Sequence, residues 1–140
     1  MRHAALLGLF LLTGCDNWTT HVAGPFYLGA IDIDEEMALY RCPDGPDGHL
    51  GCAVDGLPGA TVFAAGGDDR YIVVARHPRA HDVTDKKTTQ YFYFHRVRQE
   101  RSGWGENPEK IVGPLTEREF NAAKSALHLP DFAIVRDDLK

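Results

Sequence analysis

The sequence predicts an α+β domain: a mostly antiparallel, meandering sheet of about five to seven strands with one C-terminal helix packed on it. Short runs rich in β-branched and aromatic residues recur between glycine- and proline-bearing turns. Two of these runs, residues 71–77 (Tyr-Ile-Val-Val-Ala-Arg-His) and 90–98 (Gln-Tyr-Phe-Tyr-Phe-His-Arg-Val-Arg), are apolar on both faces. They predict central strands covered on two sides. Residues 116–127 alone combine helical spacing of apolar side chains with an N-terminal capping signature.

Taken in order, residues 26–33 predict the first strand, because Ile31, Asp32, Ile33 and Asp34 alternate with period two. Residues 37–42, carrying Leu39 and Tyr40, predict a second, and residues 50–54 a third across a hairpin-like turn. Gly56-Leu57-Pro58-Gly59 marks a turn before a fourth strand over residues 60–65, which Gly66-Gly67-Asp68-Asp69 should break. The two central strands follow. In the helix, Thr116 and Glu119 form a capping box, and Leu115 and Phe120 occupy the positions of a hydrophobic staple. Phe120, Ala123 and Leu127 share the face that should meet the sheet, and Leu129-Pro130 should end the helix. Residues 132–135 predict a last short strand before a charged tail. No internal repeat or second domain is visible.

The first residues have a different character. Met1, Arg2 and His3 precede an apolar run over residues 4–12 that stops at Thr13, Gly14 and Cys15 and turns charged at Asp16. This is the layout of a cleavable signal peptide, and the run is too short for the roughly 20 residues a membrane span needs. A short buried core helix is the alternative, but such a helix rarely opens on Met-Arg and closes on Thr-Gly-Cys. Leu12-Thr13-Gly14-Cys15 resembles the bacterial lipobox. The resemblance implies that residues 1–14 are removed, that Cys15 is diacylated on sulfur (palmitate is the expected acyl group) and becomes the new N-terminus, and that the protein is anchored in the cell envelope facing the periplasm. The chain then divides into a signal peptide (1–14), a lipid-anchored tether (15–24) and a single domain (25–140). Asp16 resembles the inner-membrane retention signal of enteric lipoproteins. That rule varies among bacterial groups, so inner and outer membrane both stay open.

The net charge of −5 becomes about −6 once Arg2 is removed. An acid-rich surface repels nucleic acid and anionic lipid, so no nucleic-acid partner is expected and the lipid must hold the protein to the membrane. With Cys15 assigned to lipid, Cys42 and Cys52 are an even pair in an oxidising compartment and predict a disulfide. The turn-forming residues 43–51 let the chain double back between them.

A second resemblance rests on three stretches: Tyr71-Ile72-Val73-Val74-Ala75-Arg76-His77-Pro78, Tyr91-Phe92-Tyr93-Phe94, and Val112-Gly113-Pro114-Leu115-Thr116-Glu117-Arg118-Glu119-Phe120. Together they resemble a pattern of small bacterial proteins with no assigned activity. The resemblance covers about the second half of the mature chain and implies a shared small fold, without an activity.

No catalytic set, metal site or cofactor is expected. His77 and His81, spaced i, i+4, would suit zinc on a helix with His95 as third ligand, but Pro78 argues against a helix there. Cys42, His49 and Cys52 are better explained by the disulfide. Asp32, Asp34, Glu35, Glu36, Asp44, Asp47, Asp68 and Asp69 lack the ligand spacing of an EF-hand. They read as solvated turn and edge residues. Ser102 and Ser125 lie in no nucleophile elbow. What remains is Arg96, Arg98, Arg101 and Trp104, with Gly103 and Gly105 flanking the tryptophan. Arg and Trp are enriched at interface hot spots, so this segment reads either as a recognition loop or, for Trp104, as a lid on the core. The expected function is a non-enzymatic envelope protein that binds a periplasmic protein partner, as an inhibitor or immunity-type factor does. A structural or assembly lipoprotein of the outer membrane or an envelope machine is the alternative, and an enzyme or small-ligand carrier with an unmarked site is the third.

Overall fold

The computed structural model describes residues 19–97 and 109–140. Strands β1 (Thr19–Ala23) and β2 (Phe26–Gly29) are followed by a 3-10 turn (Asp34–Glu36) and β3 (Ala38–Arg41). Next come β4 (Val62–Gly67), β5 (Tyr71–Arg76), the two-residue strands β6 (Arg79–Ala80) and β7 (Val83–Thr84), and β8 (Gln90–His95). β9 (Val112–Leu115), helix α1 (Glu117–Leu127) and β10 (Ile134–Val135) complete the order. The fold is α+β, and all pairings are antiparallel: a three-stranded sheet β1-β2-β3, a five-stranded sheet β10-β4-β5-β8-β9 and the hairpin β6-β7. No helix among the described residues is long and apolar enough to cross a membrane.

The period-two alternation of the central strands separates two cores. Ile72 and Val74 of β5 and Phe92 and Phe94 of β8 face the small sheet, where they meet Phe26, Leu28, Met37 and Leu39. Phe26 and Phe94 pack edge to face with ring centroids 5.2 Å apart. Tyr71, Val73, Tyr91 and Tyr93 point the other way, toward Phe120, Ala123, Leu127 and Leu129. The result is three layers with β5 and β8 covered on both faces, as their sequences predict. α1 begins at the capping box, with Thr116 and Glu119 bonding reciprocally, and ends at His128 in the left-handed conformation.

Several elements differ from expectation. Half of the supposed tether is structure: residues 19–23 form β1, an edge strand whose exposed Thr19 and His21 give it the look of a linker while Thr20 and Val22 turn inward. β2 stops at Gly29, so the alternating residues 31–34 are not a strand and Ile31 and Ile33 are left exposed. Residues 50–54 contribute only a bridge from Ala53 to Arg41. Gly66 and Gly67 continue β4 instead of breaking it. A Cβ at Gly66 would collide with the backbone carbonyl of Asp131, and one at Gly67 with Ile72 and Ala23, so glycine here permits close packing. β6-β7 and β9 have no counterpart in the sequence reading. The hairpin turns on His81 and Asp82, both with positive φ (48° and 63°), as a two-residue turn between right-twisted strands requires.

The registers define two opposite ends. Thr19, Gly29 and Ala38 are aligned across the small sheet, Val62 N–H donates to Met37 C=O, and Val62, Arg76 and Gln90 are aligned across the large one. This is the N-terminal end. At the other, Ala23, Phe26 and Arg41 are aligned, Gly67 pairs with Ile72, and Tyr71 pairs with His95.

Candidate protein-interaction site

The end opposite Thr19 is built from the β4–β5 turn, the last residues of β8, the start of β9 and the segment stapled by the two cysteines. Its local order starts at Asp68, whose Oδ1 accepts from the N–H groups of Arg70 (2.8 Å) and Tyr71 (2.7 Å), the self-bonding that suits Asp to turns. The turn then holds β8 in place. Arg96 N–H donates to Arg70 C=O at 2.8 Å and Arg96 Nη1 to Asp68 C=O at 2.6 Å. The Arg70 guanidinium lies 5.2 Å above the Tyr71 ring, within cation–π range. Edge-on to Tyr71 stand His95 at 5.2 Å and Tyr93 at 6.4 Å.

A second fixed point lies at Glu109. Glu109 is buried, and its carboxylate accepts from Arg41 of β3, Nε to Oε1 at 3.2 Å and Nη2 to Oε2. This two-pronged geometry is the strongest form of a carboxylate pair. Arg41 also lies 5.9 Å from the Phe26 ring centroid, and its backbone exchanges bonds with Ala53 (2.8 and 2.9 Å). Next to it Cys42 and Cys52 stand at disulfide-bonding distance, 2.05 Å between sulfurs. Asp44 closes that loop by accepting from Leu50 N–H.

Of the residues singled out in the sequence, Arg96, Cys42 and Cys52 therefore meet at one end of the fold. Arg98, Arg101 and Trp104 lie outside the described residues, as does Cys15. The two stems that flank residues 98–108, Arg96 and Glu109, are both tied to this end, by the β4–β5 turn and by Arg41. Arg70, Arg41 and Glu109 were not singled out in the sequence, Tyr71 was placed only in a central strand, and Asp68 was read as a solvated turn residue. Asp68 at the head of a turn was the one available signal, whereas nothing local marks Arg41 and Glu109 as partners. With Tyr71 and Arg41 buried, what this end presents to solvent is Arg70 and His95, with Arg96 half-buried beside them, a cationic and imidazole surface on a rigid sheet that suits contact with carboxylates of a protein partner.

The three histidines do not converge. His95 closes β8 opposite Tyr71, while His77 follows β5 at the N-terminal end and His81 is exposed in the hairpin turn. Among the described residues, no three His, Cys, Asp or Glu side chains are grouped to hold a metal. His77 is buried, stacks on Phe63 at 4.6 Å and has Nδ1 2.8 Å from Thr88 C=O. A carbonyl only accepts, so Nδ1 carries the proton; Nε2 has no hydrogen-bond partner among the described residues. Thr88 OH and Lys87 N–H in turn hold the Asp85 carboxyl below its ordinary range. His77 thus packs the 78–88 excursion onto the sheet. The chain matches no family model, no curated protein and no solved structure.

Proposed function

We propose that this is a lipid-anchored cell-envelope protein that binds a protein partner through the end carrying Arg70, Tyr71, His95 and Arg96, in the manner of an inhibitor or immunity-type factor. The observation that carries the reading is the polarity of the domain. The candidate lipid site, Cys15, lies four residues before Thr19, and Thr19 stands at the end of the sheets opposite Arg96. Six-residue strands such as β5 and β8 separate the two ends by about 20 Å. An anchor at one end leaves the other facing the periplasm, and between the fixed stems Arg96 and Glu109 the chain supplies Arg98, Arg101 and Trp104, the residue types favoured at hot spots.

The test begins with crosslinking and pull-down of the intact lipoprotein from envelopes, which identifies the partner. Trp104→Ala is then measured twice, for partner affinity and for melting temperature. A hot-spot tryptophan costs about 2 kcal/mol or more of binding when truncated, so affinity should fall at least about thirtyfold with the melting temperature unchanged. A large loss of melting temperature with intact affinity would instead make Trp104 a core residue and end the recognition-loop reading.

A further inference from the structure

Three of the large apolar side chains that the domain leaves in water are gathered at the N-terminal end. Ile31 is 67% exposed, Ile33 47% and Val83 68%. Ile31 follows by two residues Gly29, the register partner of Thr19. Ile33 immediately precedes the 3-10 turn, whose Glu35 carbonyl accepts from Thr61 Oγ1. The same Thr61 hydroxyl is 2.9 Å from Thr84 Oγ1, next to Val83. One polar contact chain therefore brings the 31–33 segment and the β6-β7 hairpin together beside the start of β1.

The length of chain between Cys15 and β1 indicates what covers them. Four Cα–Cα steps separate Cys15 from Thr19, so a lipid on Cys15 holds Thr19 within about 14 Å of the acylated residue. That leash is shorter than the domain's own strands, so the end beside Thr19 stays at the bilayer surface. Trp18, within the leash, is of the residue type that gathers at membrane interfaces. Exposed Asp32, Asp34, Glu35 and Asp82 lie among or beside the three apolar side chains; Arg136 and Arg79 offset Asp34 and Asp82, so the excess negative charge that disfavours anionic lipid is carried by Asp32 and Glu35.

We infer that Ile31, Ile33 and Val83 form a membrane-resting surface that seats the N-terminal end of the domain in the headgroup layer of a zwitterionic bilayer and turns the Arg96 end outward. The inference rests on the lipid anchor at Cys15. It adds an orientation: the domain does not tumble on its leash but stands on the lipid through these side chains. Shallow insertion of an apolar face beneath the headgroups removes them from water at the place where the anchor already holds them.

The mature lipoprotein is reconstituted in vesicles of phosphatidylethanolamine and phosphatidylcholine doped with a nitroxide-bearing lipid. A fluorophore is attached through Ile31→Cys, through Val83→Cys or, as the control, through Leu50→Cys. Leu50 is 55% exposed in the segment stapled at the opposite end, so all three sites are exposed and differ chiefly in position. Intact mass establishes one label per molecule and the lipid on Cys15, and flotation establishes attachment to the vesicles. Quenching severalfold stronger at positions 31 and 83 than at 50, reduced when phosphatidylglycerol replaces part of the lipid, is the expected result. Floating, lipid-modified protein with equal quenching at all three positions overturns the membrane-resting surface while leaving the anchor intact. Quenching undiminished by phosphatidylglycerol overturns the preference for zwitterionic lipid. Wild-type protein that carries no lipid and does not float removes the anchor, and the inference with it.

Discussion

Arg41 and Glu109, 68 residues apart in the chain, meet as a buried, two-pronged ion pair that fastens the start of the β9 segment to the small sheet. Removing one member of such a pair leaves the other buried charge without its countercharge, a loss of about 3–5 kcal/mol, whereas replacing both by apolar residues of similar volume is often tolerated. Glu109→Gln and Arg41→Met should each lower the unfolding free energy measured by urea denaturation by that amount, and the double variant with methionine at both positions should recover most of it. Additive losses in the double variant would mean that the two side chains stabilise the fold independently.

The disulfide predicts a second, separable contribution. Cys42 and Cys52 are ten residues apart, and closing so small a loop restricts the unfolded chain by about 2.5–3 kcal/mol. Unreduced protein should show no alkylatable thiol by intact mass, and the Cys42→Ala/Cys52→Ala variant should melt lower while still folding, since Arg41 and Ala53 remain paired through their backbones. Two reactive thiols in native oxidised protein would refute the bond.

The helix start predicts a dependence on pH. Hydrogen bonds from the Thr116 N–H and OH hold the exposed Glu119 carboxyl below its ordinary value. The folded state therefore binds this proton less tightly than the unfolded one. Its contribution is complete above the unfolded value, near 4.5, and is lost as pH falls through the lower folded value. Thr116→Ala removes the cap and should cost about 1 kcal/mol at neutral pH. Glu119→Gln should melt below wild type at pH 7, and the gap should close in strong acid, where Glu119 is protonated in both states. A gap independent of pH would assign the effect to packing rather than charge.

What was legible in the sequence was what is written locally. β5 and β8 announce themselves because both of their faces are apolar, and α1 because cap, staple and apolar face all fall between Leu115 and Leu127. β1 was not legible, since an edge strand buries one face and Thr19 and His21 display the other. β9 carries Gly113 and Pro114, which argue against a strand taken alone, and β6 and β7 are too short to show a period. Alternation at residues 31–34 misled for the converse reason: it marks side chains that solvent, not a sheet, receives. At the candidate site Arg96 could be singled out by type, but its hold on Asp68 could not, because that bond joins β8 to a turn 28 residues away. The pairing of Arg41 with Glu109 depends entirely on tertiary proximity.

The anchor itself is open to a direct test whose meaning is sharpened by β1. Cys15 alone among the cysteines follows an apolar run and small residues, so Cys15→Ala should abolish incorporation of labelled palmitate and leave the precursor uncleaved or the protein detached from envelope membranes. The substitution lies before the first strand at Thr19, so the variant domain, expressed without residues 1–14, should keep the wild-type melting temperature and circular dichroism. Loss of lipid with an unchanged fold separates anchoring from folding. Label entering Cys15→Ala at the wild-type level would show that the lipid, if present, is attached elsewhere, and would dissolve the geometric link between the membrane and the end of the domain that carries Ile31.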